Sequence, residues 1–412
     1  MSILQQAREF VQRLQGLWQR KAQDWRRCPY CESTHTHGHG SYQRHPYRLT
    51  GRESVTIARH RCLTCGRTYS EERADLIRGS WYGREVHRSG VDLWIHGRMS
   101  LRRAAELLRS LIGLQERWKM WHRHLPADAE REPCHLAAST LHRWLDRAGR
   151  RAAKGVEKQW EGVKTSGQMA VDGLWARLRR GAERVVLLLT DTVTGMVWPP
   201  IVARTEEMLS WREVFLRALR AGLNMEQIDG VTSDGAPGLK AFLQRYLPHA
   251  HLQRCVWHLW RNLGSSFTHL EKPLRLEVSG MVRQVLDASS YAAAEAALAR
   301  LAAHPQGSGL ARRLREVLDE ALMHLLPSHQ GLSRIGPEHL WRDFRLRLSH
   351  GRNHGSDERL ERAALVWAIY HNFTPAQWRC ERKRVYKHPG LSPLEVAGAD
   401  PGELSYLDAL LI

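Results

Sequence analysis

A chain of 412 residues with 62 Lys and Arg against 43 Asp and Glu carries a formal charge of +19, at 42% hydrophobic and 25% charged composition. That length exceeds one compact core and predicts two to four domains, while the composition is globular and excludes a disordered chain. No run nears the ~18 apolar residues of a membrane span, the stretch 185–189 being the densest, so no membrane role is expected.

The first segment, 1–22, reads as a helix over 3–22, with Leu4, Phe10, Val11, Leu14 and Leu17 on one face. It alternates apolar and charged residues and lacks a signal-peptide core, so a cytoplasmic protein is expected. The segment 23–75 is irregular and holds Cys28-Pro29-Tyr30-Cys31 and Cys62-Leu63-Thr64-Cys65, with space for a hairpin through 42–61. A CxxC turn aims two thiolates at one ion. Two such turns predict a closed, structural Zn2+ site of four cysteines, a zinc ribbon. In a reducing compartment the same cysteines are not expected to form disulfides. His35, His37 and His39 alternate in the intervening loop; they read as solvated or phosphate-facing rather than as a second metal site.

The segment 80–150 returns to helical periodicity. Stretches 101–108 and 139–148, with Ser100 and Ser139 as expected N-caps, resemble a helix-turn-helix split by an insertion. The second stretch sets Arg143, Arg147 and Arg150 beside Leu141 and Trp144, so its basic side chains are expected to bind DNA. Of the +19 charge, +12 falls within residues 1–150. Such an excess is the footprint of a polyanion binder, because basic side chains release the counterions condensed on nucleic acid.

After Gly167 the pattern changes. Strands are expected over 169–178, 185–191 and 195–202, then a helix over 206–221, a strand over 228–232, a helix from Pro237, and a strand over 251–255 leading into another helix. Three hairpin strands followed by β-α-β-α is an α/β order. Residues 265–328 are helical throughout, with helices over 274–286, 291–303 and 310–325; a helical pair follows over 337–348 and 357–370. From 376 the tail is basic through Arg382-Lys383-Arg384.

Two acids stand out. Asp172 interrupts an apolar strand, where an unpaired carboxylate is costly. Asp234, in Ser233-Asp234-Gly235, sits at the carboxyl end of another expected strand, where α/β sheets carry functional groups. Acids on neighbouring strands can hold hard cations such as Mg2+, and a third acid would complete a two-metal site. Asp191 reads as a turn cap.

The stretch Gln253-Arg254-Cys255-Val256-Trp257-His258-Leu259-Trp260-Arg261-Asn262 carries the most specific signal. With Val171-Asp172-Gly173 and Ser233-Asp234-Gly235 it resembles the signature of Mutator-like DDE transposases of bacterial insertion sequences, over roughly residues 168–400. The resemblance implies an RNase H-like core, interrupted by a helical insertion before its last acid. It implies Asp172, Asp234 and Glu338 as catalytic residues holding two Mg2+ (or Mn2+) ions. Cys255 and His258 become signature residues beside the site, and Arg254 and Arg261 candidates for DNA phosphates. Where the family usually has Asn near the last acid, this chain has Ile335-Gly336-Pro337; Glu358 and Glu361 on the next helix are the competing third acids. The implied domains are 1–22, zinc ribbon 23–75, helix-turn-helix 80–150, core 165–264, insertion 265–328, core 329–375 and tail 376–412. The expected activity is binding of transposon ends with cleavage and strand transfer, by a homodimer or higher multimer acting on terminal inverted repeats and target DNA. A non-catalytic DNA-binding regulator and an RNase H-like nuclease are the alternatives.

Overall fold

A computed structural model describes residues 26–122, 134–160, 163–179, 181–329, 332–348, 354–375, 390–401 and 405–410. The helix expected over 3–22 and the basic run 382–388 lie outside them. The chain divides into two units, one of residues 1–154 with 345–352 and 402–412, the other of 155–344 with 353–401.

In the first unit, β1 (Thr36–Arg44) pairs antiparallel with β4 (Val55–Cys62), which pairs antiparallel with β5 (Thr68–Ser70). Between them lies a small hairpin of β2 (Tyr47–Arg48) and β3 (Gly51–Arg52). The expected hairpin is present. Strand β4 buries Val55 and Ile57 while Thr56 faces out, the two-residue period of a half-buried strand. Helices α1 (Arg84–Ile95), α2 (Leu101–His122) and α3 (Ala138–Gln159) follow. Their core joins Val86, Ala104, Leu108, Ile112, Leu141 and Trp144 to Tyr47 and Tyr82. Ser100 caps α2 by accepting from the Arg103 amide at 3.3 Å. Ser139 is not a cap: α3 begins one residue earlier, at Ala138, which puts Ser139 inside its first turn. His87 stacks on Trp144 with ring centroids 3.7 Å apart, and its Nε2 lies 2.8 Å from Ser80 Oγ. Burial and then nearby arginines pull its pKa down to about 3, so it is a neutral core residue.

The second unit is built on a five-stranded sheet ordered β8-β7-β6-β9-β10, from β6 (Gln168–Arg177), β7 (Glu183–Asp191), β8 (Ile201–Ala203), β9 (Gly230–Ser233) and β10 (His251–Arg254). The first three form an antiparallel meander; β9 runs parallel to β6 and β10 parallel to β9. Val185 to Leu189 are buried to the last residue, so β7 is covered on both faces. The third expected strand, 195–202, shortens to Ile201–Ala203 because Pro199 and Pro200 have no amide to give a ladder. Helices α4 (Met208–Arg220) and α5 (Pro237–Tyr246) meet through stacked Phe215 and Phe242, 4.6 Å between centroids. Pro237 opens α5, where its missing amide costs nothing.

Helix α6 (Val256–Gly264) leads into α7 (Lys272–Leu286), α8 (Tyr291–Ala303), α9 (Ser308–Arg315) and α10 (Leu318–Leu322). Val256, Leu259 and Leu263 of α6 join Val282, Leu298 and Leu314 in a core of this helical block. The single helix expected over 310–325 is broken between Arg315 and Leu318. The break lets the Ala321 carbonyl and the His324 amide turn toward buried Gln253 of β10, at 2.9 and 2.8 Å. The chain then returns to the sheet: the Ser333 carbonyl accepts from Thr232 Oγ1 at 2.5 Å and the Arg334 carbonyl from the Val256 amide at 2.9 Å. Helices α11 (Glu338–Leu348) and α12 (Asp357–Phe373) follow, as expected. No helix among the described residues is long and apolar enough to cross a membrane.

Candidate active site

Asp172 lies in the middle of β6, opposite Leu188 of β7, and its Oδ1 accepts from the Gly173 amide at 2.9 Å. Asp234 lies one residue beyond β9, the parallel neighbour of β6, and its Oδ1 caps the following turn through the Ala236 amide at 2.9 Å. Glu338 opens α11 immediately after Pro337, so the helix start fixes its position. Both other acids act on Asp172. Burial first, then Glu338, then Asp234 push the Asp172 carboxyl up to about 7, and the buried indole of Trp341 on α11 faces it.

Glu338 is held on one oxygen only. Its Oε1 accepts from Cys255 Sγ at 3.1 Å and lies 3.2 Å from His258 Nδ1, while Oε2 is buried without a hydrogen-bond partner. Cys255, the residue before α6, also accepts the Gly336 amide at 3.2 Å. Its thiol is pushed up to about 12 by burial and by Glu338, so it stays a neutral donor to that carboxylate. Cys255, just before α6, and His258, in its first turn, therefore share the Glu338 side chain.

A fourth acid was not anticipated. Glu206 sits where a side chain on Gly173 would stand, since an ideal Cβ there would lie 2.5 Å from Glu206 Oε1. Burial and the charge of Asp234 raise its pKa. The only sequence signal was the glycine next to Asp172. The competing third acids are occupied elsewhere: Glu361 pairs with Arg217 at 2.5 Å and accepts from the Val202 amide at 3.2 Å. Glu358 is exposed, its pKa lowered by the Ser356 hydroxyl. Buried Asp191 accepts from the Ser166, Val193 and Thr194 amides at 2.6, 2.9 and 2.9 Å, the turn cap expected of it.

Arg254 does not point freely outward; its Nη1 donates to the Gly235 carbonyl at 3.2 Å. Arg261 is exposed and lies over the Trp257 ring, 5.6 Å from its centroid. In the first unit Arg143 and Arg147 are exposed on α3, Arg143 donating to Thr140 Oγ1 at 3.1 Å. His37 and His39 are exposed, with rings 6.3 Å apart.

The four cysteines converge. Thr36 pairs with Cys62, which brings both CxxC turns to one end of the β1–β4 hairpin. Cys28 Sγ lies 3.7 Å from Cys65 Sγ and Cys31 Sγ 3.6 Å from Cys62 Sγ; a tetrahedron with Zn–S near 2.3 Å has edges of about 3.8 Å. The Cys65 amide approaches Cys62 Sγ at 3.5 Å, and backbone donors of this kind bring the Cys62 thiol down to about 6, whereas Cys31, despite a backbone hydrogen bond at Ser33, is pushed up to about 12 by desolvation and the adjacent thiols.

Residues 193–333 match the family model of the Transposase, Mutator family. The chain is 30% identical over 112 residues to the transposase for insertion sequence element IS905 of Lactococcus lactis subsp. lactis (strain IL1403), which covers 26% of this chain and 28% of that one. It is 37% identical over 62 residues to the transposase for insertion sequence element IS1201 of Lactobacillus helveticus, covering 15% of this chain and 16% of the relative. The chain thus matches less than a third of the length of these relatives. Both findings bear out the resemblance to Mutator-family transposases of insertion sequences. The family segment contains Asp234 and the 253–262 stretch; Asp172 and Glu338 flank it on either side.

Proposed function

We propose that the protein is a DDE transposase that binds transposon ends and performs metal-dependent DNA cleavage and strand transfer. The observation that carries this reading is the placement of three acids around one end of the sheet: Asp172 within β6, Asp234 just past its parallel neighbour β9, and Glu338 at the start of α11, with the last two adding their charge to the burial that lifts the Asp172 carboxyl. The residues suit a hard divalent cation, Mg2+ or Mn2+: the donors are carboxylate oxygens, and Glu338 Oε2 is buried with no partner. Two such ions would supply a polarised oxygen nucleophile and stabilise the leaving oxygen of phosphoryl transfer. Asp172 and Asp234 would hold them from adjacent strands and Glu338 from the helix start. A meander of three strands extended by two parallel strands, with the first acid on the central strand, supports an RNase H-like core with the helical block 265–328 inserted in it.

In this reading the four-cysteine sheet is a zinc ribbon holding one structural Zn2+. Helices α1–α3 form the DNA reader, with Arg143 and Arg147 on phosphates and Arg261 a further phosphate contact beside the site. Two transposon ends call for a homodimer or higher multimer, working in the cytoplasm on nucleoid DNA.

The test is an end-joining assay on labelled terminal-repeat DNA with Mg2+. Wild type is expected to cut the end and join it to target DNA, and Asp172→Ala to do neither. Cutting without joining would make the protein a nuclease, and binding without either step a DNA-binding regulator. Equal behaviour of wild type and Asp172→Ala would sink the mechanism.

A further inference from the structure

The helical block contributes a carboxylate to the neighbourhood of the second acid. Glu320, on α10, meets two cations that flank the Asp234 turn. Its Oε1 lies 2.6 Å from Lys240 Nζ on α5, the helix that begins three residues after Asp234. Its Oε2 faces Arg254 Nη1 of β10 at 3.9 Å and is buried without a hydrogen-bond partner. The same Nη1 donates to the carbonyl of Gly235 at 3.2 Å. Gly235 has φ +81°, and an ideal Cβ there would sit 1.4 Å from Arg254 Nη1, so the guanidinium fills the space a side chain would take. The block is fixed against this strand from the other side of the residue pair, because neighbouring Gln253 is buried and bonds Ala321 and His324.

We propose that Glu320 is a positioning residue for Asp234: the inserted helical block holds Arg254 against the Gly235 carbonyl and so sets the turn that presents the acid. This inference rests on the catalytic assignment of Asp234, and it gives Arg254 a task other than gripping DNA. The Arg254 side chain is only 19% exposed and is engaged on both sides, unlike exposed Arg261. Neutralising Glu320 releases Arg254 and Lys240 together, and the Asp234 turn loses its support while the acids themselves are untouched.

The experiment compares full-length wild type, Glu320→Gln, Glu320→Asp and Arg254→Lys. The first readout is hydrogen exchange of the segment 230–240. Glu320→Gln is expected to speed exchange there at least several-fold while 168–177 and 272–303 stay as in wild type, and Glu320→Asp to restore part of the protection. The second readout is Mg2+-dependent cleavage of end DNA. There Glu320→Gln is expected to lower kcat about ten- to hundred-fold, as small misplacements of reacting groups do, with end binding within about two-fold of wild type. Unchanged exchange at 230–240 overturns the proposal whatever the activity, and so does exchange that rises equally across the unit, which marks a merely structural ion pair. Loss of end binding in Arg254→Lys and Glu320→Gln with normal exchange returns Arg254 to the role of DNA contact. If exchange changes as expected but wild type shows no metal-dependent cleavage, the positioning stands and the transposase reading fails.

Discussion

In the proposed reading Asp172 links the stability of the sheet to the cations it would hold. In the unfolded chain its carboxyl ionises near the ordinary value of 3.8, but in the fold burial and the neighbouring acids lift it to about 7. A raised carboxylate pKa means the fold binds a proton more tightly than the unfolded chain does. The metal-free protein therefore loses stability as pH rises from about 4 to 7 and carries the full penalty above 7. Asp172→Asn removes that penalty. It should raise the melting temperature of metal-free protein by a few degrees at pH 8, and the gain should shrink as pH falls toward 4. Added Mg2+ or Mn2+ should stabilise wild type at pH 8 and leave Asp172→Asn nearly unmoved, with loading weakened below pH 7 by the competing proton. Thermal melts across pH with and without metal check both, and a variant less stable than wild type at pH 8 would refute the account. Gly235 makes a separate demand: its φ of +81° costs an ordinary residue about 1–2 kcal/mol, and a methyl group would also displace Arg254. Gly235→Ala is expected to lower unfolding free energy by about 2 kcal/mol or more in urea denaturation, whereas Ala at Gly181, with a similar φ but nothing within 4 Å, should cost only the backbone share.

The four-cysteine sheet at the end of β1 and β4 has small apolar clusters among the described residues, Tyr69 packing on Cys28 and Cys62 at the sulfurs and Val55 and Ile57 on Leu76 further along β4. A bound zinc, worth on the order of 10 kcal/mol in small domains, would supply what packing does not. Cys28→Ser is expected to lower zinc content from about one ion per chain to none and to deprotect 28–70 in hydrogen exchange, while the five-stranded sheet keeps its protection. Retained protection with zinc lost would show that the strands hold themselves. This element was readable because a CxxC turn is a local signal. So were β6, β7 and the Pro237 helix start, each fixed by an apolar run or a single residue over a few positions. What failed did so where distant contacts decide. The break before Leu318 serves Gln253, some sixty residues earlier in the chain; the trimming of β8 is the exception, since Pro199 and Pro200 inside the expected strand are themselves a local signal. At the site, the strand acids announce themselves as carboxylates among apolar residues. Glu338 does not: it lies beyond an entire helical block, and only the resemblance singled it out. Glu206 left no trace beyond the glycine it packs on. The partnership of Cys255 and His258 with Glu338 joins two segments some eighty residues apart, which no local spacing reveals.

At the scale of the whole molecule, the charge is uneven: of the +19, +12 lies in residues 1–150, and the remaining +7 is spread over a longer stretch that includes the carboxylate site. If the protein works as proposed, a site made of acids repels a polyanion until it is loaded, so affinity for DNA would have to come mainly from elsewhere. Helix α3, which buries Leu141 and Trp144 and leaves Arg143 and Arg147 exposed, would be the source in that reading. If each arginine holds one phosphate, replacing it removes one counterion-release contact and flattens the plot of log affinity against log salt by about 0.9. Arg143→Ala and Arg147→Ala are therefore expected to weaken end binding and to lower that slope by about one each, measured by fluorescence anisotropy from 50 to 200 mM salt. Cleavage by either variant should recover at low salt, because the carboxylates are intact. If a substitution instead weakens binding to the correct end and leaves both the salt slope and random-DNA binding unchanged, that arginine reads a base edge rather than a phosphate. A slope and affinity equal to wild type in both variants would move the DNA reader off α3 and onto other basic surface of the chain.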